Sequence, residues 1–168
     1  MIYFRRSGGH IVLLVLALIG VAISIYLTVV HYDAGVLVCS SSGLVNCERV
    51  LSSSYSVVPG TAIPISVPGL LWFIVSAVLA AIACFGRVEQ RPVRVAEVAW
   101  CALGMLTIFY LVYVEIVRLH AICLWCTSLH VIIFIMLLVS IFLLQETAPA
   151  DDFDADVENE QPLPSRRA

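Results

Sequence analysis

Lysine is absent from this chain: all nine basic residues are arginine, and charged residues of both signs make up only 12% of its 168 positions. That is about half the charged share of an ordinary soluble domain. A soluble protein of this length could bury a core, but it would need more polar side chains to cover its surface. The sequence also lacks a lysine- and arginine-rich face of the kind that phosphate backbones require, so nucleic acid is not an expected partner. It has no internal repeat. No A-x-A site closes the first apolar run, which follows Arg5 and Arg6 and is about twenty residues long, against roughly 7–15 for the core of a signal peptide. That run is expected to stay as a helix.

What the chain has in abundance is hydrophobicity, 61% of its residues, gathered into long blocks. Four spans are expected, at about Ile11–Val30, Gly69–Cys84, Val95–Val117 and Ala121–Leu144. The first, third and fourth meet the roughly 20-residue length that crosses a bilayer's hydrocarbon. The second does so only if Pro68 or earlier residues lie inside the membrane, and it too is expected to span. The fold class that follows is all-α: an integral membrane four-transmembrane-helix bundle over residues 1–145, with an outer loop carrying a short helix. Residues 146–168 hold Glu146, Asp151, Asp152, Asp154, Asp156, Glu158 and Glu160 among Ala and Pro. Such a segment has too little apolar surface to offset its ordering entropy, and an acidic disordered cytoplasmic tail is expected.

The arginines orient the bundle. Arg5 and Arg6 precede the first span, Arg87, Arg91 and Arg94 lie between the second and third, and Arg166 and Arg167 end the chain. The stretch 31–67 holds only Arg49, and the link between the last two spans only Arg118. The positive-inside bias therefore predicts a multi-pass cell-membrane protein with both termini cytoplasmic and both of these connections outside.

Four of the six cysteines fall on that outer face. Cys123-Leu124-Trp125-Cys126 forms a C-x-x-C at the mouth of the last span, where a helix N-terminus and a neighbouring thiol both favour a thiolate. Cys39 and Cys47, eight positions apart in a polar loop, are near enough for a disulfide. One dithiol in water and one at the membrane edge suggest a relay between a water-soluble thiol and an acceptor dissolved in lipid. A purely structural Cys39–Cys47 staple is an alternative, but it leaves the C-x-x-C unexplained. Zinc is another; zinc ribbons use two short C-x-x-C knuckles and no histidine here is spaced to complete a site, so no metal is expected. Cys84 and Cys101, towards the cytoplasmic side, read as small hydrophobes.

Other residues invite paired readings. The apolar positions between Glu48 and Tyr55 predict a short amphipathic helix on the membrane surface, capping the bundle. Glu115 and Arg118 stand three apart and could pair on one helix face, with Glu115 as a proton source as the alternative. Glu97, close to the cytoplasmic end, is expected to snorkel. His130 follows Cys126 by about one turn and could hydrogen-bond a ligand or donate a proton. Trp125 and Trp72 could form aromatic walls for a flat ligand, or simply anchor at the interface.

The chain resembles the vitamin K epoxide reductase family in its bacterial form. The resemblance rests on Cys39-x7-Cys47, the following Glu48-Arg49-Val50-Leu51-Ser52-Ser53, and Cys123-Leu124-Trp125-Cys126, in order over roughly residues 10 to 145. It implies a four-helix bundle around a quinone (menaquinone or ubiquinone) that reoxidises a thioredoxin-fold, DsbA-like thiol oxidase acting on exported proteins. By the same resemblance Cys39 meets the partner's thiolate and Cys47 shuttles to Cys123. Cys126 then delivers electrons to the quinone, and Ser53 corresponds to a loop serine that aids packing or transfer. The family's quinone-bonding Asn is missing: the aligned stretch reads Ile63-Pro64-Ile65-Ser66-Val67, which leaves Ser66 as a substitute donor. His130 stands where animal members carry Tyr. Many bacterial members continue into a fused thioredoxin-like domain, whereas an acidic tail follows the bundle here, so the partner is expected to be a separate protein. Reduction of vitamin K epoxide as the physiological reaction, and a non-enzymatic tetraspan protein, are the other readings.

Overall fold

Within hydrocarbon a chain must satisfy its own backbone hydrogen bonds, and long apolar runs without interior proline do so as helices. The computed structural model describes residues 2–33, 37–39, 43–85 and 90–145. Its long helices are α1 (Ile2–Tyr32), α3 (Ser66–Phe85), α4 (Gln90–Tyr113, continued to Leu119 by a π turn) and α5 (Leu124–Gln145). A short α2 (Cys47–Leu51) and a 3-10 turn (Ser54–Ser56) lie between α1 and α3. Four helices are long and apolar enough to cross a membrane, and no strand occurs among the described residues, only isolated bridges. The protein is an all-α, multi-pass membrane protein.

The first and third helices run beyond the expected spans, from Ile2 and Gln90, and two further boundaries differ for local reasons. The second span starts at Ser66 rather than Gly69, which takes it to 20 residues. Pro68 then falls in the first turn, where its missing N–H costs no intrahelical bond. The last helix starts at Leu124 rather than Ala121, because the residues before it are pinned to the loop. The Ile122 N–H donates to the Leu44 carbonyl at 2.8 Å, and the Asn46 N–H donates to the Ile122 carbonyl at 3.1 Å.

Each long helix packs chiefly against two others, α1 against α3 and α5, and α4 against α3 and α5. The helices therefore form a ring, with Leu13, Ala17, Phe73, Ala80, Cys101, Met136 and Leu143 on its axis. Leu18, Ile74, Leu106 and Leu138 point outward and are exposed, as suits a surface whose solvent is lipid. Lipid tails are as apolar as leucine, so association depends on close packing at small residues. Gly20 lies against the Phe73 ring, and a Cβ at Gly104 would stand 2.6 Å from Cζ2 of Trp72. Gly20→Ala is expected to cost about 1–3 kcal/mol by overpacking, seen as a lower unfolding midpoint of the detergent-solubilised protein.

At the end of the bundle away from the loop, polar side chains are sealed in. Glu97 does not snorkel: it is 5% exposed, with Oε2 3.5 Å from Nδ1 of His10, itself 2% exposed. Arg94, also buried, donates from Nη1 to the Leu143 carbonyl at 2.7 Å. The physical reason is register. Positions 94, 97, 101, 104 and 108 are all buried, and their alternating steps of three and four form the stripe of α4 that faces the ring's axis.

At the opposite end the loop folds over the bundle. The single helix expected over Glu48–Tyr55 is divided into α2 and the 3-10 turn. Asn46 caps α2, its Oδ1 accepting the Arg49 N–H at 2.9 Å. Ser53 makes the break: its hydroxyl donates to the Val50 carbonyl at 2.8 Å, while its own carbonyl accepts from the Ser56 N–H at 3.0 Å and hydroxyl at 2.8 Å. A serine that bonds backbone locally competes with helix continuation. The acidic stretch 146–168 lies outside the described residues.

Candidate redox site under the outer loop

Cys39 and Cys47 form a disulfide with Cα atoms 6.2 Å apart. Cys47 sits at the first position of α2 and is buried, whereas Cys39 is partly exposed. Cys47, Val50, Ala121 and Cys123 make one buried cluster, with Cys39, Trp125 and Cys126 packed against it. Two cysteine pairs far apart in sequence thus share a core, and Cys47 and Cys123 are its central sulfurs. Among the described residues no group of three metal-ligating side chains occurs.

The C-x-x-C is arranged by the start of α5. Cys123 immediately precedes the helix, and its Sγ accepts the Cys126 N–H at 3.4 Å. Its thiol is held below the ordinary cysteine range, first because the Cys126 side chain donates to it. The backbone N–H groups of Cys126 and Trp125 add to this, while burial and the nearby Glu115 carboxylate oppose it. A depressed thiol is a better leaving group in disulfide exchange, so Cys123 is suited to being joined and then released.

Trp125 anchors the loop. Its ring packs on Tyr26 with centroids 4.8 Å apart, and its Nε1 donates to the Val38 carbonyl at 3.0 Å, next to Cys39. The Tyr26 hydroxyl accepts the Val38 N–H at 2.9 Å. These contacts place Cys39 in an open groove bordered by Leu37, Leu124 and Ser128. Trp125→Phe keeps the ring and loses the N–H. It is expected to cost about 0.5–1.5 kcal/mol and to speed reduction of the Cys39–Cys47 disulfide by dithiothreitol, followed by thiol alkylation.

On its other side, Cys126 opens onto a cavity of about 60 Å³ bounded by Ser53, Tyr55, Ile65, Leu111, Glu115 and His130, among others. Apolar walls with a few polar groups suit a flat ring. The volume is far below the roughly 300–1,000 Å³ of ordinary ligand pockets, so the cavity as it stands is too small to hold a ring. Ser53 and His130 belong to this wall. Ser66 and Trp72 do not. Ser66 opens α3, where its hydroxyl accepts from the Thr28 hydroxyl at 2.9 Å. Trp72 is drawn into a parallel stack with Trp100, centroids 6.1 Å apart, in the space left by Gly104. Trp125 faces the Cys39 groove instead.

Glu115, read from the sequence either as Arg118's partner or as a proton source, is drawn into this site from the end of α4. It is 6% exposed, and its carboxyl lies against the Cys126 thiol and the Cys123 backbone. The expected pair with Arg118 is not formed, because both belong to the π turn Val114–Leu119. Bonding there runs i→i+5, so the third residue no longer stands over the first. Arg118 turns outward, its Nε donating to the Tyr55 hydroxyl at 3.1 Å and its guanidinium lying over the Tyr55 ring. His120, in the left-handed region at φ 50°, ends the turn by donating its N–H to the Glu115 carbonyl. The signal for Glu115 was the α4 stripe: continued by three and four from 108, it passes through 111 to 115.

A ring of membrane-crossing helices that seats a C-x-x-C beside a disulfide-bonded loop pair defines a redox-active membrane protein, an oxidoreductase by class. Residues 11–141 match the vitamin K epoxide reductase family, and the chain belongs to that family. No curated protein matches the chain.

Proposed function

We propose that the protein is a quinone-dependent thiol–disulfide oxidoreductase that reoxidises a separate thioredoxin-fold, DsbA-like partner and so supports disulfide formation in exported proteins. The observation that carries this reading is the shared burial of Cys47 and Cys123, which joins the loop disulfide to the C-x-x-C. Residues 1–145 hold the whole relay, with both termini cytoplasmic and the four cysteines on the outer side, as the arginine distribution favours.

The steps are disulfide exchanges. A partner thiolate attacks Cys39 and releases Cys47. The partner's second thiol resolves that bond, leaving the partner oxidised and Cys39 and Cys47 reduced. The Cys47 thiolate attacks Cys123 and releases Cys126; Cys39 then attacks Cys47, restoring the loop disulfide and freeing Cys123. Cys123 and Cys126 return to the disulfide as two electrons and two protons pass to the quinone, the second substrate. The net change is two partner thiols plus quinone giving partner disulfide plus hydroquinone. His130, one turn beyond Cys126 and in the same cavity wall, is the proposed hydrogen-bond partner of a ring oxygen.

The test is quinone reduction by the purified protein, supplied with a reduced thioredoxin-fold protein and a soluble quinone analogue. Turnover is expected in the wild type, and Cys39→Ser should remove the partner-dependent part. A Cys39→Ser protein that oxidised the partner at the normal rate would overturn the relay.

A further inference from the structure

Chemistry at Cys126 must dispose of a proton. The Cys126 side chain donates to Cys123, so in the reduced pair Cys126 holds the hydrogen while Cys123 is suited to carry the negative charge. Before the pair can close as a disulfide, that hydrogen has to leave a thiol that faces protein on every side but one. Glu115 meets it there. The carboxyl is buried in the wall of the cavity onto which Cys126 opens, and it lies against the Cys126 thiol. Among the described residues, the other titratable groups facing this point are Cys123, His130 and Tyr55. Arg118 is turned away onto Tyr55 and His120 is exposed, so among the described residues no arginine neutralises the carboxyl. A buried carboxyl with no counter-ion beside a reacting thiol is a costly arrangement to maintain, and such groups serve general acid–base chemistry.

We infer that Glu115 is a catalytic acid–base that takes the Cys126 proton and returns it to the quinone oxygen as the Cys123–Cys126 disulfide forms. The inference rests on the relay proposed above. In balance, Cys126–SH and the Glu115 carboxylate become the Cys126 thiolate and the Glu115 acid. The two sulfurs then lose two electrons in forming their bond. The quinone gains those electrons together with one proton from Glu115 and one from the outer aqueous phase, since Cys123 is already a thiolate, and Glu115 is again a carboxylate.

The test compares wild type, Glu115→Gln and Glu115→Asp in two assays. In the first, the reduced protein is alkylated with iodoacetamide at neutral pH and Cys126 modification is timed by mass spectrometry, with neither quinone nor partner present. Like charges repel, so removing the carboxylate should make the Cys126 thiolate easier to form and accelerate its alkylation. In the second, reduction of a soluble quinone analogue should fall on the order of 100-fold in Glu115→Gln, in line with loss of a general acid, and recover in part in Glu115→Asp. Opposite movement of the two rates in Glu115→Gln, with both returning towards wild type in Glu115→Asp, is the signature. A residue needed only for packing would be better replaced by the isosteric Gln than by the shorter Asp. Turnover of Glu115→Gln within threefold of wild type, or a fall in both rates, overturns the assignment. A wild type that reduces no quinone defeats the relay and the assignment with it. The alkylation assay then still shows whether Glu115 governs Cys126, so the two failures are told apart.

Discussion

Cys126→Ser is expected to lower quinone reduction by a factor on the order of 10³ or more, the scale seen when a reacting group is removed outright. The same variant should reveal the hand-over between the two pairs. With no sulfur at position 126, Cys123 has no partner in its own motif, while Cys47 remains beside it in the buried cluster. Attack of Cys123 on Cys47 then exchanges the loop disulfide for a Cys47–Cys123 bond and frees Cys39. Digestion without reductant followed by mass spectrometry should find that cross-linked peptide, and Cys39 should become open to alkylation. A variant that kept only the Cys39–Cys47 disulfide under every redox condition would show that the two pairs do not communicate.

The second large effect lies at the other end of the bundle and concerns stability alone. Glu97→Leu leaves His10 buried without the carboxylate it faces at 3.5 Å. Breaking a buried pair from one side costs about 3–5 kcal/mol, because the orphaned group remains out of water. Thermal unfolding in detergent should show a large fall in midpoint. Replacing both residues, His10→Leu with Glu97→Leu, should recover most of it, since two apolar side chains satisfy one another. If the double variant were as unstable as the single, the His10–Glu97 contact would not be the source of the loss.

The bundle was legible in the sequence because hydrophobic length is a direct physical requirement of the bilayer, and the four expected spans match the apolar, membrane-crossing parts of the four helices to within a few residues. The four cysteines were legible for a similar reason, since their spacing and their place between spans restrict the chemistry open to them. Side chains whose role depends on phase were less so. Glu97 and Glu115 were judged by distance from a helix end and by the charge three residues away. The structure sorts them by the stripe of α4 on which they fall. Local departures from regular helix also hid from view: the π turn that parts Glu115 from Arg118, and the Ser53 bonds that divide the loop helix. Both depend on backbone bonding that no residue-type pattern announces. Trp72 and Ser66 failed as cavity residues because a tertiary neighbour claimed each, Trp100 in one case and Thr28 in the other.

The burial of the sulfurs has one more consequence. Cys47 and Cys123 are 1% and 0% exposed, while Cys39 and Cys126, at the two ends of the chain of sulfurs, are each partly open. The middle of the path is therefore insulated. In the relay proposed above, a dissolved thiol such as glutathione would meet the loop disulfide only at Cys39, its outer terminal, and would not reach the buried sulfurs where the pairs exchange.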